Sequence, residues 1–191
     1  MEETLRQTPS NCLKIVLFGP ESSGKSTLAR ELAAKYETHW VPEFMRGYAQ
    51  KKWDDSRKVL EMEDLIPIAE GQIRTENELS PLAKKFLFCD TDLLELKVYS
   101  QYYFHGFCPP EIKQACLQNK YHHYFLTQID TPWEPDDLRD RPYEREKLFR
   151  IFESELQHHQ LPYTLLEGSL KERIHKATQV LKTLKLKPNA H

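Results

Sequence analysis

A chain of 191 residues, 39% apolar and 29% charged, is long enough to bury a core and has a globular rather than a disordered composition. Twenty-seven basic against 29 acidic residues leave a net charge of −2, which excludes a duplex nucleic-acid footprint and requires any anionic ligand to be held by a local cluster of positive charge. No apolar stretch suits a membrane span, and the first residues lack the apolar core of a signal peptide. Cys12, Cys89, Cys108 and Cys116 follow neither a zinc nor a disulfide spacing, so they read as reduced thiols in a cytoplasmic protein.

Residues 1–11 are polar and expected to be loose. Leu13 to Phe18 is a β-branched, apolar strand. A Gly-rich turn follows, and Lys25 to Lys35 has helical spacing, with Leu28, Leu32 and the Ala33–Ala34 pair on one side. His39 to Pro42 is a brief second strand. Arg57 to Leu79 is helical in pattern, with Pro67 expected to kink or divide it. Phe86 to Cys89 is a third strand that runs into Asp90-Thr91-Asp92, and Leu93 to Phe104 is the next helix. His122 to Thr127 is a fourth strand, and the Pro- and charge-rich stretch from Asp130 to Pro142 cannot be regular. Tyr143 to His158 is a helix started by Pro142, Tyr163 to Leu166 a fifth strand, and Gly168 to Leu184 holds the last helix before a frayed tail at 185–191. Apolar strands alternating with helices predict an α/β fold, a five-stranded parallel sheet flanked by helices, in one domain over 1–191. Ligands of such sheets bind at the carboxyl ends of the strands, where every motif below falls.

Gly19-Pro20-Glu21-Ser22-Ser23-Gly24-Lys25-Ser26 matches the phosphate-loop pattern G-x-x-x-x-G-K-[ST] without a mismatch, and Thr27 follows it into the helix. The glycines let backbone amides turn toward a phosphate, and the helix N-terminus adds positive potential. Lys25 would reach the outer phosphates of ATP, and Ser26 would offer its hydroxyl to Mg²⁺. Asp90, at the end of an apolar strand, suits the second oxygen ligand of that ion. Asp92 either binds substrate hydroxyls or caps the helix from Leu93.

Glu43 follows the second strand in Val41-Pro42-Glu43-Phe44-Met45-Arg46 and is placed to accept a proton from an alcohol; the alternative is a first-turn glutamate favoured by the helix dipole. Arg46, one turn on, would pair with Glu43 or contact substrate. Thr131 to Arg145 carries Trp133, Asp136, Arg139, Arg141 and Arg145, and reads as an arginine-rich lid clamping ATP phosphates rather than a loop of weak Asp–Arg pairs. The pairs His122-His123 and His158-His159 point their members in different directions and read as surface or packing, not metal ligands. Trp40, Trp53 and most tyrosines read as core or groove wall.

Together, Gly-Pro-Glu-Ser-Ser-Gly-Lys-Ser-Thr-Leu, Trp-Val-Pro-Glu-Phe-Met-Arg, Gly71-Gln72, Phe-Cys-Asp-Thr-Asp and Pro-Trp-Glu-Pro-Asp-Asp-Leu-Arg-Asp-Arg resemble the ribosylnicotinamide kinase domain of the NadR family, over roughly Leu13 to Leu184. The resemblance implies phosphorylation of nicotinamide riboside to nicotinamide mononucleotide with ATP and Mg²⁺; the residues alone reach only a small-molecule kinase. It implies that Gly19 to Thr27 hold the triphosphate and that Asp90 serves the metal. Glu43, Arg46, Asp92, Trp133 and Asp136 would face the riboside, whose cationic ring an aromatic face such as Trp133 can attract. Arg139, Arg141 and Arg145 would form the lid. Only 18 residues precede Gly19, so the adenylyltransferase and DNA-binding parts of well-known members are not expected, and the mononucleotide rather than the dinucleotide would be the product. The alternatives are a kinase for another nucleoside or nucleotide, and an ATP-binding regulatory ATPase without an acceptor.

Overall fold

In the computed structural model the described residues are 4–133 and 142–185. They form five strands, β1 (Leu13–Phe18), β2 (Trp40–Val41), β3 (Phe86–Asp90), β4 (His123–Thr127) and β5 (Tyr163–Leu166), joined in one sheet of order β2-β3-β1-β4-β5. Every neighbouring pair is parallel; Leu17 lies opposite Asp90, and Phe18 opposite Leu126. The expected sheet is therefore found, strand by strand.

Alternation along the strands sorts the core into two layers. Leu13, Ile15, Leu17, Phe86, Phe88 and Phe125 point to one face, and pack with Leu28, Leu32, Ala177 and Leu181. Val16, Phe18, Leu87, Cys89, Tyr124 and Leu126 point to the other, and pack with Ile68, Ile73, Leu94, Leu148 and Phe152. A strand covered on both faces is mostly apolar, and β1 is buried at all six positions, its one charge, Lys14, being paired with Glu76 at 2.8 Å.

Seven α-helices are found among the described residues: α1 (Lys25–Lys35), α2 (Phe44–Ser56), α3 (Leu65–Leu79), α4 (Leu93–Tyr103), α5 (Pro110–Gln118), α6 (Arg145–His158) and α7 (Leu170–Thr183). Two of them escape the sequence pattern. The helix α2 buries none of its residues fully, so it has no apolar stripe to betray it; α5 is only nine residues long and begins at a proline. The helix expected from Arg57 starts instead at Leu65, and Pro67 neither kinks nor divides it, because in the first turn its missing N–H has no intrahelical partner to lose. On α1 the buried stripe is Leu28, Ala29, Leu32 and Ala33, while Ala34 faces outward. All four cysteines are buried free thiols. No helix among the described residues is long and apolar enough to cross a membrane.

Residues 4–12, ahead of β1, are tied down rather than loose. Leu5 is buried, Asn119 donates to its carbonyl at 2.9 Å, and Gln7 donates to Glu76 at 2.6 Å. The paired histidines pack as expected, His123 with Thr164 at 2.9 Å and against the Phe125 ring.

Candidate active site

The carboxyl ends of β1, β2 and β3 and the loops after β4 and β5 surround a cleft of 1060 Å³. The phosphate loop forms its floor. Gly19 has φ of 135° and lies so close to β4 that a Cβ would meet the Thr127 hydroxyl at 2.9 Å and its carbonyl at 3.1 Å. Gly24, with φ of 86°, turns the chain into α1. Ser23 ties the loop down, its hydroxyl 2.6 Å from both the Pro20 carbonyl and the Thr127 hydroxyl. The Glu21 amide donates to the Tyr99 hydroxyl at 2.9 Å.

Lys25 folds back over this loop. Its ammonium donates to the Gly19 carbonyl at 2.6 Å and the Pro20 carbonyl at 3.0 Å, and lies 3.2 Å from Glu95 Oε1. Burial works against its charge, yet Glu95, Glu43 and Asp90 together hold its pKa above the ordinary lysine value.

Glu43 lines the cleft at the N-cap of α2, with no capping bond from its side chain. It is half-buried by surface but walled in by the cleft, and this enclosure pushes its carboxyl up to about 7, against the pull of Lys25. A hydrogen bond from the Phe44 amide to Gln72 Oε1, 2.8 Å, anchors the start of α2 and with it Glu43. Arg46 lines the same cleft and acts on both Glu43 and Asp90.

Asp90 is buried at the end of β3. Burial raises its pKa, opposed by Lys25 and by a hydrogen bond from Ser26. Its Oδ1 has no hydrogen-bond partner. A hydroxyl and a buried carboxylate with an unused lone pair are hard oxygen donors of the kind Mg²⁺ takes, so the pair Ser26 and Asp90 fits that ion. Among the described residues there is no cluster of three or more His, Cys, Asp or Glu that could hold a metal by itself. Asp92 points the other way: its carboxylate accepts from the Glu95 amide at 3.0 Å, capping α4, and from the Tyr124 hydroxyl at 2.8 Å. Of the two roles open from sequence, the geometry is that of the cap.

The lid segment is described only in part. Asp136, Arg139 and Arg141 lie outside the described residues. Arg145 is buried and donates to the Thr131 carbonyl at 3.0 Å and the Ser22 carbonyl at 2.9 Å, pinning the loop after β4 to the phosphate loop. Its guanidinium lies 5.7 Å from the Trp133 ring centre, so a cation of the chain itself sits over the face assigned to the riboside ring.

Several site residues have no motif. Arg173 donates to the Gly168 carbonyl at 3.0 Å, the Ser23 carbonyl at 2.5 Å and the Gln128 carbonyl at 3.0 Å, and pairs with Asp130, so one side chain joins the phosphate loop to the ends of β4 and β5. Its signal was present: Arg173, Ala177 and Leu181 form one buried stripe, and a charge on an apolar stripe asks for partners. Glu95 gives no such signal, because α4 is buried on several sides and its pattern has no polar face to violate. Trp53, Tyr99, Tyr103 and Phe104 add an aromatic lining to the cleft, Tyr99 in contact with the loop itself.

A parallel sheet with a phosphate loop at the end of its central strand defines a P-loop nucleotide-binding protein with a nucleoside-kinase-like fold. The chain belongs to the AAA domain family, whose model matches residues 14–173. The resemblance to NadR holds as well. The trifunctional NAD biosynthesis/regulator protein NadR of Salmonella typhimurium is 29% identical over 125 residues, covering 65% of this chain and 30% of that protein. The Escherichia coli protein of the same name gives the same values. A crystal structure of NadR in complex with NR superposes with a TM-score of 0.73 at 21% identity, covering 95% of this chain and 54% of the other. Deoxyadenosine kinase from M. mycoides superposes with a TM-score of 0.63 at 15% identity, covering 90% of this chain and all of the other. The chain thus spans about a third of the curated relatives it matches and about half of the NadR structure.

Proposed function

We propose that this chain is an ATP-dependent kinase domain that phosphorylates nicotinamide riboside to nicotinamide mononucleotide. The observation that carries the reading is the meeting of Lys25 and Glu43 in one cleft, a phosphate-binding cation and a carboxylate lining the same space. The loop amides and Lys25 hold the triphosphate. Glu43 accepts the proton of the attacking ribose hydroxyl as the bond to the γ-phosphoryl group forms, and ADP leaves. A base with a pKa near the working pH is ionised in a substantial fraction of molecules and basic enough to draw the proton. Ser26 and Asp90 would hold Mg²⁺, which supplies charge neutralisation between the outer phosphates. Trp53, Tyr99, Tyr103 and Phe104, with Glu43 and Glu21, suit a flat cationic ring. Arg139 and Arg141 are assigned to the lid, with Trp133 and Asp136 beside the acceptor. Arg145 keeps Thr131 against the phosphate loop.

The reading draws support from the similarity to NadR and from the NR complex of that protein. The test is a panel of nucleosides and nucleotides with ATP and Mg²⁺, followed by chromatography. Nicotinamide riboside should be converted with stoichiometric ADP. Preference for another nucleoside would reassign the acceptor, and slow ATP hydrolysis indifferent to every nucleoside would make the chain a regulatory ATPase.

A further inference from the structure

Glu95 is 1% exposed and sits behind the phosphate loop, away from the cleft surface. Two groups of the loop address its carboxylate. The Gly19 amide donates to Oε2 at 3.3 Å, and the Lys25 ammonium lies 3.2 Å from Oε1 as an ion pair without good hydrogen-bond geometry. An ammonium has three N–H donors. Two of those of Lys25 already go to the Gly19 and Pro20 carbonyls, which leaves one for either Glu95 or a phosphate oxygen. Burial pushes the Glu95 carboxyl well above the usual range, and the Lys25 ammonium at 3.2 Å opposes that push. Paired with that ammonium and with the Gly19 amide, the carboxylate occupies, from the inside, the electrostatic place that a nucleotide's outer phosphate would take from the cleft.

We infer that Glu95 is a positioning residue that acts as an internal rival anion: it holds the Lys25 ammonium and the Gly19 amide against the protein, and a nucleotide must draw both away from it. The inference rests on the reading that Lys25 meets the outer phosphates of a nucleotide. Its consequence is a charge selectivity. A ligand with β- and γ-phosphates wins the contest for Lys25, while one lacking them never enters it. Glu43 and Asp90 also act on Lys25 and remain in place when Glu95 is neutralised, so the ammonium keeps its charge.

The experiment is equilibrium titration of the whole chain with ADP and a non-hydrolysable ATP analogue, each with Mg²⁺, and with AMP. Removing one charged rival for a hydrogen-bonding ammonium should tighten ADP and the ATP analogue about 10-fold in Glu95→Gln, while AMP affinity stays the same. Glu95→Ser, which also lacks the charge, should show the same pattern with somewhat smaller gains. Unchanged or weaker binding of ADP and the ATP analogue in the folded variants overturns the inference. So does an equal gain for AMP, which would mean a generally loosened loop. Loss of folding in both variants overturns it too, since a rival anion is dispensable for the fold. Failure of the wild-type chain to bind either di- or triphosphate is a different result: it removes the nucleotide reading beneath.

Discussion

Two buried lysine–glutamate pairs sit at opposite ends of the same sheet and differ in how completely they are satisfied. Near the start of β1, Lys14 meets Glu76 at 2.8 Å, and Glu76 also accepts from Gln7 at 2.6 Å and Tyr121 at 2.8 Å. Every oxygen is used. At the far end, Lys25 meets Glu95, and here Glu95 Oε1 and the nearby Asp90 Oδ1 lack hydrogen-bond partners while Glu43 adds a third carboxylate. A buried polar atom without a hydrogen bond costs roughly 1–3 kcal/mol, so a fold that keeps two at one end and none in the pair at the other is holding capacity for a ligand there. The first pair fastens the amino-terminal segment to α3; the second waits on chemistry.

The sharpest way to break this contrast is Glu76→Ala. Leaving Lys14 buried without its anion should cost about 3–5 kcal/mol of stability, read as a lower denaturant midpoint, with activity per folded molecule unchanged. A stable variant with lost activity would make the first pair functional. Lys25→Ala, which strands the buried Glu95 in turn, should also cost stability, but unlike Glu76→Ala it should lower turnover per folded molecule by about 10²–10³. Normal turnover in that variant would remove the loop from the proposed mechanism. Glu43→Gln should lower turnover by about 10². Because the carboxyl is pushed up to about 7 and a base works only when ionised, wild-type kcat/KM should rise with pH through about 7, and the variant should lose that rise. A rise that survives would assign the titration elsewhere. The smallest effect is expected at Gly71, where a Cβ would stand 2.1 Å from the Phe44 ring at the start of α2. Gly71→Ala should cost about 1–3 kcal/mol and, by shifting α2, displace Glu43, which appears as reduced turnover at unchanged ATP affinity. An inert substitution would show that α2 yields freely and that Glu43 is not held by its neighbours.

Some of the site was legible before any fold was known. Gly19 to Ser26 needs a fixed order of residues because a phosphate requires glycine dihedrals, a helix N-terminus and an ammonium within one turn of chain. The mostly apolar runs of Leu13 to Phe18 and Phe86 to Cys89 were equally local. Other residues gave no notice. The helix α2 is only half-buried, with Phe44 and Tyr48 against the core and Arg46, Ala49 and Trp53 on the cleft, so hydrophobic spacing could not mark it. Asp92 sits two residues after Asp90 and looked like a partner in chemistry, yet the strand's period of two ends at Asp90, and the turn beyond, with Thr91 at φ of 73°, aims Asp92 at Tyr124.

By itself the sequence determined the class of sheet and the phosphate loop, and it offered Glu43, Asp90 and Asp92 as carboxylates for the chemistry, because each depends on spacing within a few residues. Only the tertiary structure decided that Glu95 stands behind Lys25, that Arg173 from the last helix holds the loop 150 residues away at Ser23, and that Asp92 faces inward. These depend on which helix covers which face of the sheet, and that is set by burial summed over the whole chain rather than by any local pattern.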